Sequence, residues 1–395
     1  MKRKQKSSLP VGVRRAIDGE VFIFLFVFLG FFCLCGAKMG MANMLSTMMN
    51  TAYALLMDTV FYIMAIAVLA GAVSALFAEF GVISLLNKVL SPLIHPIYGL
   101  PGASSVGIVT TYLSDNPAIL TLANDNTFRR FFKKYQLPAL TNIGTSFGMG
   151  LIITTFMIGI KSPVAETFGV AVLVGNLGAV IGSIVSTRLM LLHTAKVYGK
   201  RADCETLDEG EPIDTTRFRT VRPGGAGTRF IDALLTGGKS GVEMGMAIIP
   251  GVLIICTMVL MLTNGSPDGG YTGAAYEGIA LLPWIGQKLQ FIILPLFGFS
   301  SPEAVAVPIT ALGAAGAAIG IVEKLIAAGK ANAHDIAVFT AMCMCWSGYL
   351  STHVAMMDSL NCRNLTGRAI LYHTIGGICA GVAANWLFKL IALIL

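Results

Sequence analysis

Seven runs of this 395-residue chain are apolar, nearly free of charge and long enough to cross or nearly cross a lipid bilayer as helices. A transmembrane helix needs about 20 such residues. Only 12% of the residues are charged, whereas soluble proteins carry about 25%. The runs are 21–37, 53–78, 137–160, 166–187, 243–263, 336–357 and 369–395. Because a bilayer offers no hydrogen-bond partner to exposed backbone groups, the sequence predicts an all-α polytopic membrane protein.

The formal net charge is +7, and its distribution indicates membrane topology rather than nucleic-acid binding. The basic residues concentrate in 2–15, 128–134, 188–239 and 363–368. Cytoplasmic loops of membrane proteins carry this excess of Lys and Arg. We therefore predict a cytoplasmic N-terminus, the lipid bilayer as the surrounding partner and no nucleic-acid partner.

The second half of the chain repeats the plan of the first half at a shift of 199 residues. The coinciding pairs include Pro96 with Pro295, Gly99 with Gly298, Thr111 with Thr310 and Leu113 with Leu312. Every basic segment stays cytoplasmic if 85–123 and 281–322 are re-entrant hairpins. Each half then has three crossings and one hairpin, and an odd number of crossings inverts the halves relative to each other. Inverted repeats with broken helices are typical of secondary transporters.

The predicted organisation is therefore an inverted structural repeat preceded by one extra leading helix. Its segments are a basic cytoplasmic N-terminus (1–20), the leading helix and a loop (21–52), the first repeat (53–190), a cytoplasmic polar loop (191–242) and the second, inverted repeat (243–395).

The sequence Asp115-Asn116-Pro117 interrupts an apolar stretch. A carboxylate inside a membrane costs about 2.5–3.5 kcal/mol on insertion scales, and a proline removes one backbone donor. Irregular backbone at membrane depth occurs where it is buried in protein or lines a wet cavity. We expect Asp115 and Asn116 to line a central solute site; the alternative is a helix end near the cytoplasmic face with Asp115 in water.

Two turns, 99–104 and 298–303, are the predicted tips of the hairpins. Each begins with glycine, which adopts backbone conformations that other residues avoid, and each leads to a helix start whose free N–H groups can hold a polar solute. The candidate solute-binding residues in these turns and just after them are Gly102, Ser104, Ser105, Ser300, Ser301 and Glu303. The alternative for Glu303 is a helix-terminal acid that faces the helix dipole.

Polar side chains inside two of the later spans complete the set of candidates. Asn142 and Thr145 lie in the span 137–160, and Ser347 and His353 lie in the span 336–357. Such groups can bind a solute, and His353 can also relay protons. The alternative is that they join helices by hydrogen bonds, or that His353 is a buried core residue.

The segments GLPGASSVGIVTTYLSDNP and GFSSPEAVAVPITALGAAGAA resemble the nucleoside-recognition, or Gate, domain. That domain is shared by concentrative nucleoside transporters, the membrane part of ferrous iron transporter B and bacterial spore maturation proteins. The resemblance covers roughly 55–190 and 243–395. It implies paired re-entrant hairpins, a central solute site, a homo-oligomer and a place in the bacterial inner (cytoplasmic) membrane. The Asn/Thr and Glu/Ser clusters of the nucleoside transporters are only partly present, and the GTPase domain of the iron transporter is absent from the sequence.

The chain contains no P-loop, G-x-S-x-G or H-E-x-x-H motif, so we expect neither an enzyme nor a bound cofactor. The predicted function is secondary transport of a small polar solute, nucleoside-like or another organic metabolite, by alternating access. A Na⁺ or H⁺ gradient is the expected driving force. Two alternatives are a cation channel or divalent-metal permease with Asp115 and Glu303 as its acidic ring, and a non-transporting scaffold of the spore-maturation type.

Overall fold

The structure is a computed structural model that describes residues 16–116, 129, 131–164, 166–204 and 221–394. Within these ranges the chain is helical, and the β-structure is limited to one isolated bridge between Lys133 and Asp203. In the described part of the chain, six helices are long and apolar enough to cross a membrane, or up to seven if a bent pair forms one span. This confirms the prediction of an all-α, multi-pass membrane protein.

The first two helices are α1 (Gly19–Met39) and α2 (Met41–Glu79). The leading helix is confirmed. The loop predicted before residue 53 is wrong, because α2 already begins at Met41 and continues through a wide turn at Leu55–Val60. The segment 41–54 contains no proline and many helix-favouring Met, Ala and Leu residues, and these features account for the longer helix.

The remaining helices of the first half are α3 (Val82–Tyr98), α4 (Ser104–Leu113), α5 (Ala139–Thr145), α6 (Gly150–Gly159) and α7 (Gly169–Tyr198). Those of the second half are α8 (Ala226–Thr263), α9 (Leu281–Lys288), α10 (Gln290–Phe297), α11 (Ala306–Gly313), α12 (Ala315–Ala327), α13 (Ala333–Cys345), α14 (Tyr349–Ser359) and α15 (Thr366–Ala392). The polar segment between the halves is shorter than predicted, because α7 and α8 extend into it from both sides.

The second hairpin turns at Gly313 and Ala314, between α11 and α12. At the open end of this hairpin, Glu303 before α11 and Lys330 after α12 form an ion pair (2.9 Å). An N–H of Ser300 also donates to Asp335 (3.0 Å), at the start of α13. The turn 298–303 is therefore at the base of this hairpin, and its prediction as the tip is wrong.

The first hairpin has the same arrangement as far as it is described. Helix α4 ends at Leu113, and the chain bends at Ser114–Asn116; the following residues, including Pro117, lie outside the described part. The side-chain amide of Gln136 donates to the carbonyl of Gly99 (3.1 Å). Since the chain leaves at Gly99 and is back beside it at Gln136, the turn 99–104 lies at the base and is also not the tip.

These two base turns lie at different ends of one helix pair. Helices α7 and α15 cross in an antiparallel sense, with Gly182 against Gly376. Arg188 donates to the Ile97 carbonyl on one side of this crossing, and Asn385 donates to the Leu296 carbonyl on the other. The two anchor residues are separated by roughly 13–15 residues of helix, or about 20 Å at a rise of about 1.5 Å per residue. One small molecule cannot bridge both turns.

The two halves share backbone features at the shift of 199 residues. Three left-handed positions coincide: Gly81 with Ala280, Gly99 with Gly298 and Met149 with Gly348. The corresponding pairs α2/α8 and α7/α15 each pack in an antiparallel sense, as glycine contacts along both pairs show. A twofold axis lying in the membrane plane relates helices in this way. The inverted repeat remains a prediction, and these pairings favour it.

Candidate functional site

Two helices of the described chain are interrupted in their middle. The first interruption, Ser146–Met149, separates α5 from α6 and contains Met149 with φ of 55°. The second, Trp346–Gly348, separates α13 from α14 and ends at Gly348 with φ of 61°. Such breaks leave backbone N–H and C=O groups without helical partners, and these must find other partners inside a membrane.

The bend of the first hairpin contacts both interruptions. The side-chain amide of Asn116 donates a hydrogen bond of 2.5 Å to the carbonyl of Ser347. Its Oδ1 lies so close to Gly148 that a Cβ there would overlap it. Asn116 is only 3% exposed, and its Oδ1 has no hydrogen-bond partner within the part of the chain that the structure describes. Asn116 therefore lies in an irregular, buried segment, and its role in lining a solute site stays a prediction.

The bend of the second hairpin reaches the same place. The carbonyl oxygen of Gly313 is 3.9 Å from the position that a Cβ on Gly348 would occupy. Two hairpin bends and two helix breaks therefore meet, although the chain between Asn116 and Gly313 is about half of the molecule. We call the four segments 114–116, 146–149, 313–314 and 346–348 the central junction.

Asp115 places a carboxylate at the central junction. Its Oδ1 accepts the backbone N–H of Asn116 (2.7 Å), a contact that fixes the shape of the bend. The residue as a whole is partly exposed. The neighbouring α4 packs against α6. The Tyr112 ring lies against Gly150, and the Tyr112 hydroxyl bonds to Thr154 (3.0 Å).

The candidates at the two base turns do not join the central junction. Gly102 packs against Ser91, and the Ser105 hydroxyl contacts the carbonyl of Asn87. Of the other candidates, Ser104 is buried at the start of α4, Ser300 bonds to Asp335, and Ser301 and Glu303 flank Pro302 at the base of the second hairpin. The acidic ring of Asp115 and Glu303 is wrong, because Glu303 pairs with Lys330 at the base while Asp115 lies at a tip.

The predicted residues of the first broken helix lie in a buried polar network. Asn142 donates to the Ser186 hydroxyl (2.9 Å) and to the carbonyl of Ala369 (3.1 Å). The Ser186 hydroxyl in turn lies 3.1 Å from Nδ1 of His373. Thr145 donates to the carbonyl of Thr141 (2.7 Å). These contacts join α5, α7 and α15 directly behind the central junction.

His373 connects this network to the second break. Its Nε2 is 2.5 Å from the carbonyl of Cys345, the last residue of α13. The sequence reasoning did not single out Ser186 or His373. The available signal was an ionisable group in an otherwise apolar span, which in a membrane protein marks a functional candidate.

The predicted residues of the second broken helix differ in exposure. Ser347 supplies its backbone carbonyl, rather than its side chain, to Asn116. His353 lies one turn after the break and is completely buried, so a solute cannot touch it in this state. No group of three or more His, Cys, Asp or Glu residues suited to a metal ion occurs in the described ranges.

The chain is similar to known proteins in structure. No protein-family model matches the chain, and no curated protein matches it. Solved structures of CNTnw do match. One, in an outward-facing state, aligns with a TM-score of 0.53 and 15% identity over 96% of this chain and 93% of its own. The chain has the fold of a concentrative nucleoside transporter.

Two further CNTnw structures give the same result. An outward-facing variant aligns with a TM-score of 0.51 and 16% identity over 85% of this chain and 80% of its own. A structure in the intermediate 1 state aligns with a TM-score of 0.53 and 16% identity over 85% and 79%. At such identity the likeness concerns the fold. The resemblance to concentrative nucleoside transporters is thus confirmed for the fold, and the names of the Gate domain, the iron transporter and the spore maturation proteins stay predictions.

Proposed function

We propose that the chain is a secondary transporter that binds a small polar organic solute, nucleoside-like or a similar metabolite, at the central junction. The observation that carries this proposal is the meeting of two hairpin bends with two helix breaks, joined by the bond from Asn116 to the Ser347 carbonyl (2.5 Å). Broken helices that meet near the middle of a membrane bundle form the binding sites of many secondary transporters.

The chemistry of the junction favours a solute that donates hydrogen bonds. The Asp115 carboxylate and the unpartnered Oδ1 of Asn116 are acceptors, and the breaks add backbone carbonyls. A hydroxylated or N–H-rich solute matches such a set. A divalent metal ion prefers several hard oxygen ligands with carboxylates among them, and Glu303 is not available here.

Alternating access is the proposed mechanism. The antiparallel packing of the corresponding helices α2 with α8 and α7 with α15 supports two inverted halves that rock around the junction. The similar structures of CNTnw hold that protein in outward-facing and intermediate states. We propose that a Na⁺ or H⁺ gradient drives the cycle and that no other cofactor takes part. We also propose that the protein works as a homo-oligomer in the bacterial inner membrane, with its N-terminus in the cytoplasm.

Substitution of Asp115 tests the proposed site. Asp115→Asn keeps an oxygen for the backbone N–H of Asn116 but removes the charge, so the fold should survive. If the carboxylate binds the solute, uptake should fall about 10-fold or more, since a hydrogen bond to a charged group contributes about 1.5–3 kcal/mol. The measurement is uptake of a panel of radiolabelled nucleosides into proteoliposomes.

The matched control is Asp268→Asn, in the exposed loop before α9, which should transport like the unsubstituted protein. Unchanged uptake in Asp115→Asn would remove Asp115 from the site. Uptake that never saturates would favour the channel alternative, and no uptake of any tested solute by the unsubstituted protein would favour the scaffold.

A further inference from the structure

Two histidine rings pack against each other at a tilt behind the second helix break. His353 on α14 and His373 on α15 have ring centroids 4.7 Å apart, and both are completely buried. The ring of Tyr349 contacts both, at 5.5 and 5.0 Å. Ionisable side chains inside a membrane bundle are functional candidates by default.

The hydrogen bonds define the proton positions on His373. A carbonyl can only accept, so Nε2 of His373 donates to the Cys345 carbonyl (2.5 Å). In the neutral ring its Nδ1 then carries the lone pair and accepts from the Ser186 hydroxyl (3.1 Å). Both nitrogens of this ring have partners, and the ring ties the last turn of α13 to α15.

His353 has the opposite arrangement and one free position. Its Nδ1 donates to the carbonyl of Tyr349 (2.9 Å), so Nε2 carries the lone pair. That Nε2 is buried, and it has no hydrogen-bond partner among the described residues. A buried acceptor without a partner is unusual in proteins and calls for an explanation. A proton is the one ligand small enough for a site that is sealed on all sides.

The surroundings of the pair hold few charges. Helix α5 places the uncharged Thr145 within 3.5 Å of Nδ1 of His373, α7 presents Ser186, and α11 has no charged residue. The titratable neighbours are the Tyr349 hydroxyl, bonded to Thr374 (2.7 Å), and the Cys345 thiol. In the described part of the chain, no carboxylate, Lys or Arg bonds to either ring. Two positive rings at this distance would repel each other, so the pair can take one proton and not two.

We propose that the His353–His373 pair binds a single proton at Nε2 of His353 and that this proton is a coupling ion of the transporter. The inference rests on the proposed function. A charge in this sealed site is unfavourable, so the described state holds the pair neutral. By linkage, a proton therefore favours a state in which the second break opens to water. Acidification should loosen the packing of α14 against α15 at the two rings, close to the second break.

Trp346 reports on this opening without any knowledge of the solute. It lies in the second break, is 6% exposed and stacks on Tyr349 with centroids 6.3 Å apart. The chain has three tryptophans, so Trp284→Phe with Trp386→Phe leaves Trp346 as the only one. In lipid nanodiscs, quenching of its fluorescence by iodide should be weak near pH 8 and several-fold stronger near pH 5, across the range where histidine takes up a proton.

The substitution His353→Gln should abolish this pH dependence, because glutamine cannot take the proton. The matched control is His334→Gln, which removes a histidine bonded to Asn385 (2.9 Å) far from the pair and should leave the dependence intact. Quenching that does not change with pH in the starting protein, or that changes equally in His353→Gln, would overturn the proposal.

A measurement without substitution at the pair covers the case in which His353→Gln does not fold. In ¹⁵N-histidine spectra of the chain, a ring protonated only at Nδ1 should be present near pH 8 and convert to imidazolium as the quenching rises. Absence of this conversion over the same range would also overturn the proposal. If uptake does not respond to an imposed proton gradient and quenching does not change with pH, the proton site is refuted and the transporter stays in place. If quenching changes with pH but no solute is taken up, the transporter is refuted instead.

Discussion

Replacing Gly148 with alanine should strongly lower solute uptake while leaving a folded protein. A Cβ at this position would overlap Oδ1 of Asn116 and lie 2.7 Å from its Cγ. The amide must then move, and its bond to the Ser347 carbonyl (2.5 Å) is broken. Because the obstructed group is one side chain on a bend and not the backbone of a neighbouring helix, the bundle itself can stay assembled. Loss of this bond, which joins the first hairpin to the second break, should lower uptake about 10-fold or more.

The measurement is the same proteoliposome uptake, normalised to the amount of folded protein by size-exclusion chromatography. Gly169→Ala is the matched control, since a Cβ there meets nothing within 4 Å at the start of α7. We expect it to transport normally. Normal uptake by Gly148→Ala would show that the contact of Asn116 with the first break has no part in transport.

The second large effect concerns the fold itself. Gly237→Ala should sharply lower the thermal stability of the protein in detergent. On α8, a Cβ at Gly237 would overlap the backbone carbonyl of Gly71 and lie 2.6 Å from the Cβ of Ala75. Two helix backbones would have to separate, and overpacking of this kind costs about 1–3 kcal/mol. Small residues allow membrane helices to approach this closely.

The adjacent glycine provides the control. A Cβ at Gly238 would lie 3.5 Å from a methyl group of Val68, which is ordinary contact. Gly238→Ala should therefore leave the melting temperature unchanged or raise it slightly, because alanine favours a helix over glycine by about 1 kcal/mol. Equal melting temperatures for the two variants would mean that α2 and α8 do not pack through Gly71 and Gly237.

The long helices were predictable because the energetics of a bilayer depend on simple composition. Helices α1, α7 and α15 follow directly from apolar runs bounded by polar residues, and the shift of 199 residues anticipated the left-handed pair Gly99 and Gly298. The break at Gly348 was not anticipated. It lies inside an apolar run, and a single glycine there is compatible with a continuous helix as far as the sequence alone can tell.

The hairpin tips were misplaced for a related reason. Gly99 and Pro302 are strong turn signals, and they mark real turns, but these turns lie at the base of each hairpin. The second tip, at Gly313 and Ala314, is inside the Ala/Gly-rich segment 311–320, which has no proline or polar residue. The bend there involves a tertiary contact, because the Gly313 carbonyl lies beside Gly348. These two segments are distant in sequence.

The candidate site was predictable at the position where polar residues interrupt an apolar run. Asn116 drew attention because an amide and a proline interrupt an apolar run, and the structure places it at the central junction. Gly148 and His373 were missed. Glycines are common in membrane helices, and the importance of Gly148 depends on which side chain faces it. The role of His373 depends on the carbonyl of Cys345 across an interface between two helices.

Crosslinking of the first hairpin bend to the second helix break tests the central claim most directly. Cysteines are introduced at Asn116 and Ser347 in a background in which the native cysteines are replaced by alanine. A short thiol crosslinker in membranes should join this pair in high yield, because the two residues are within hydrogen-bond distance. A matched pair at Ser104 and Ser301, at the two base turns, should stay unlinked. Efficient linking of Ser104 to Ser301, without linking of Asn116 to Ser347, would contradict the central junction and return the hairpin tips to the base turns.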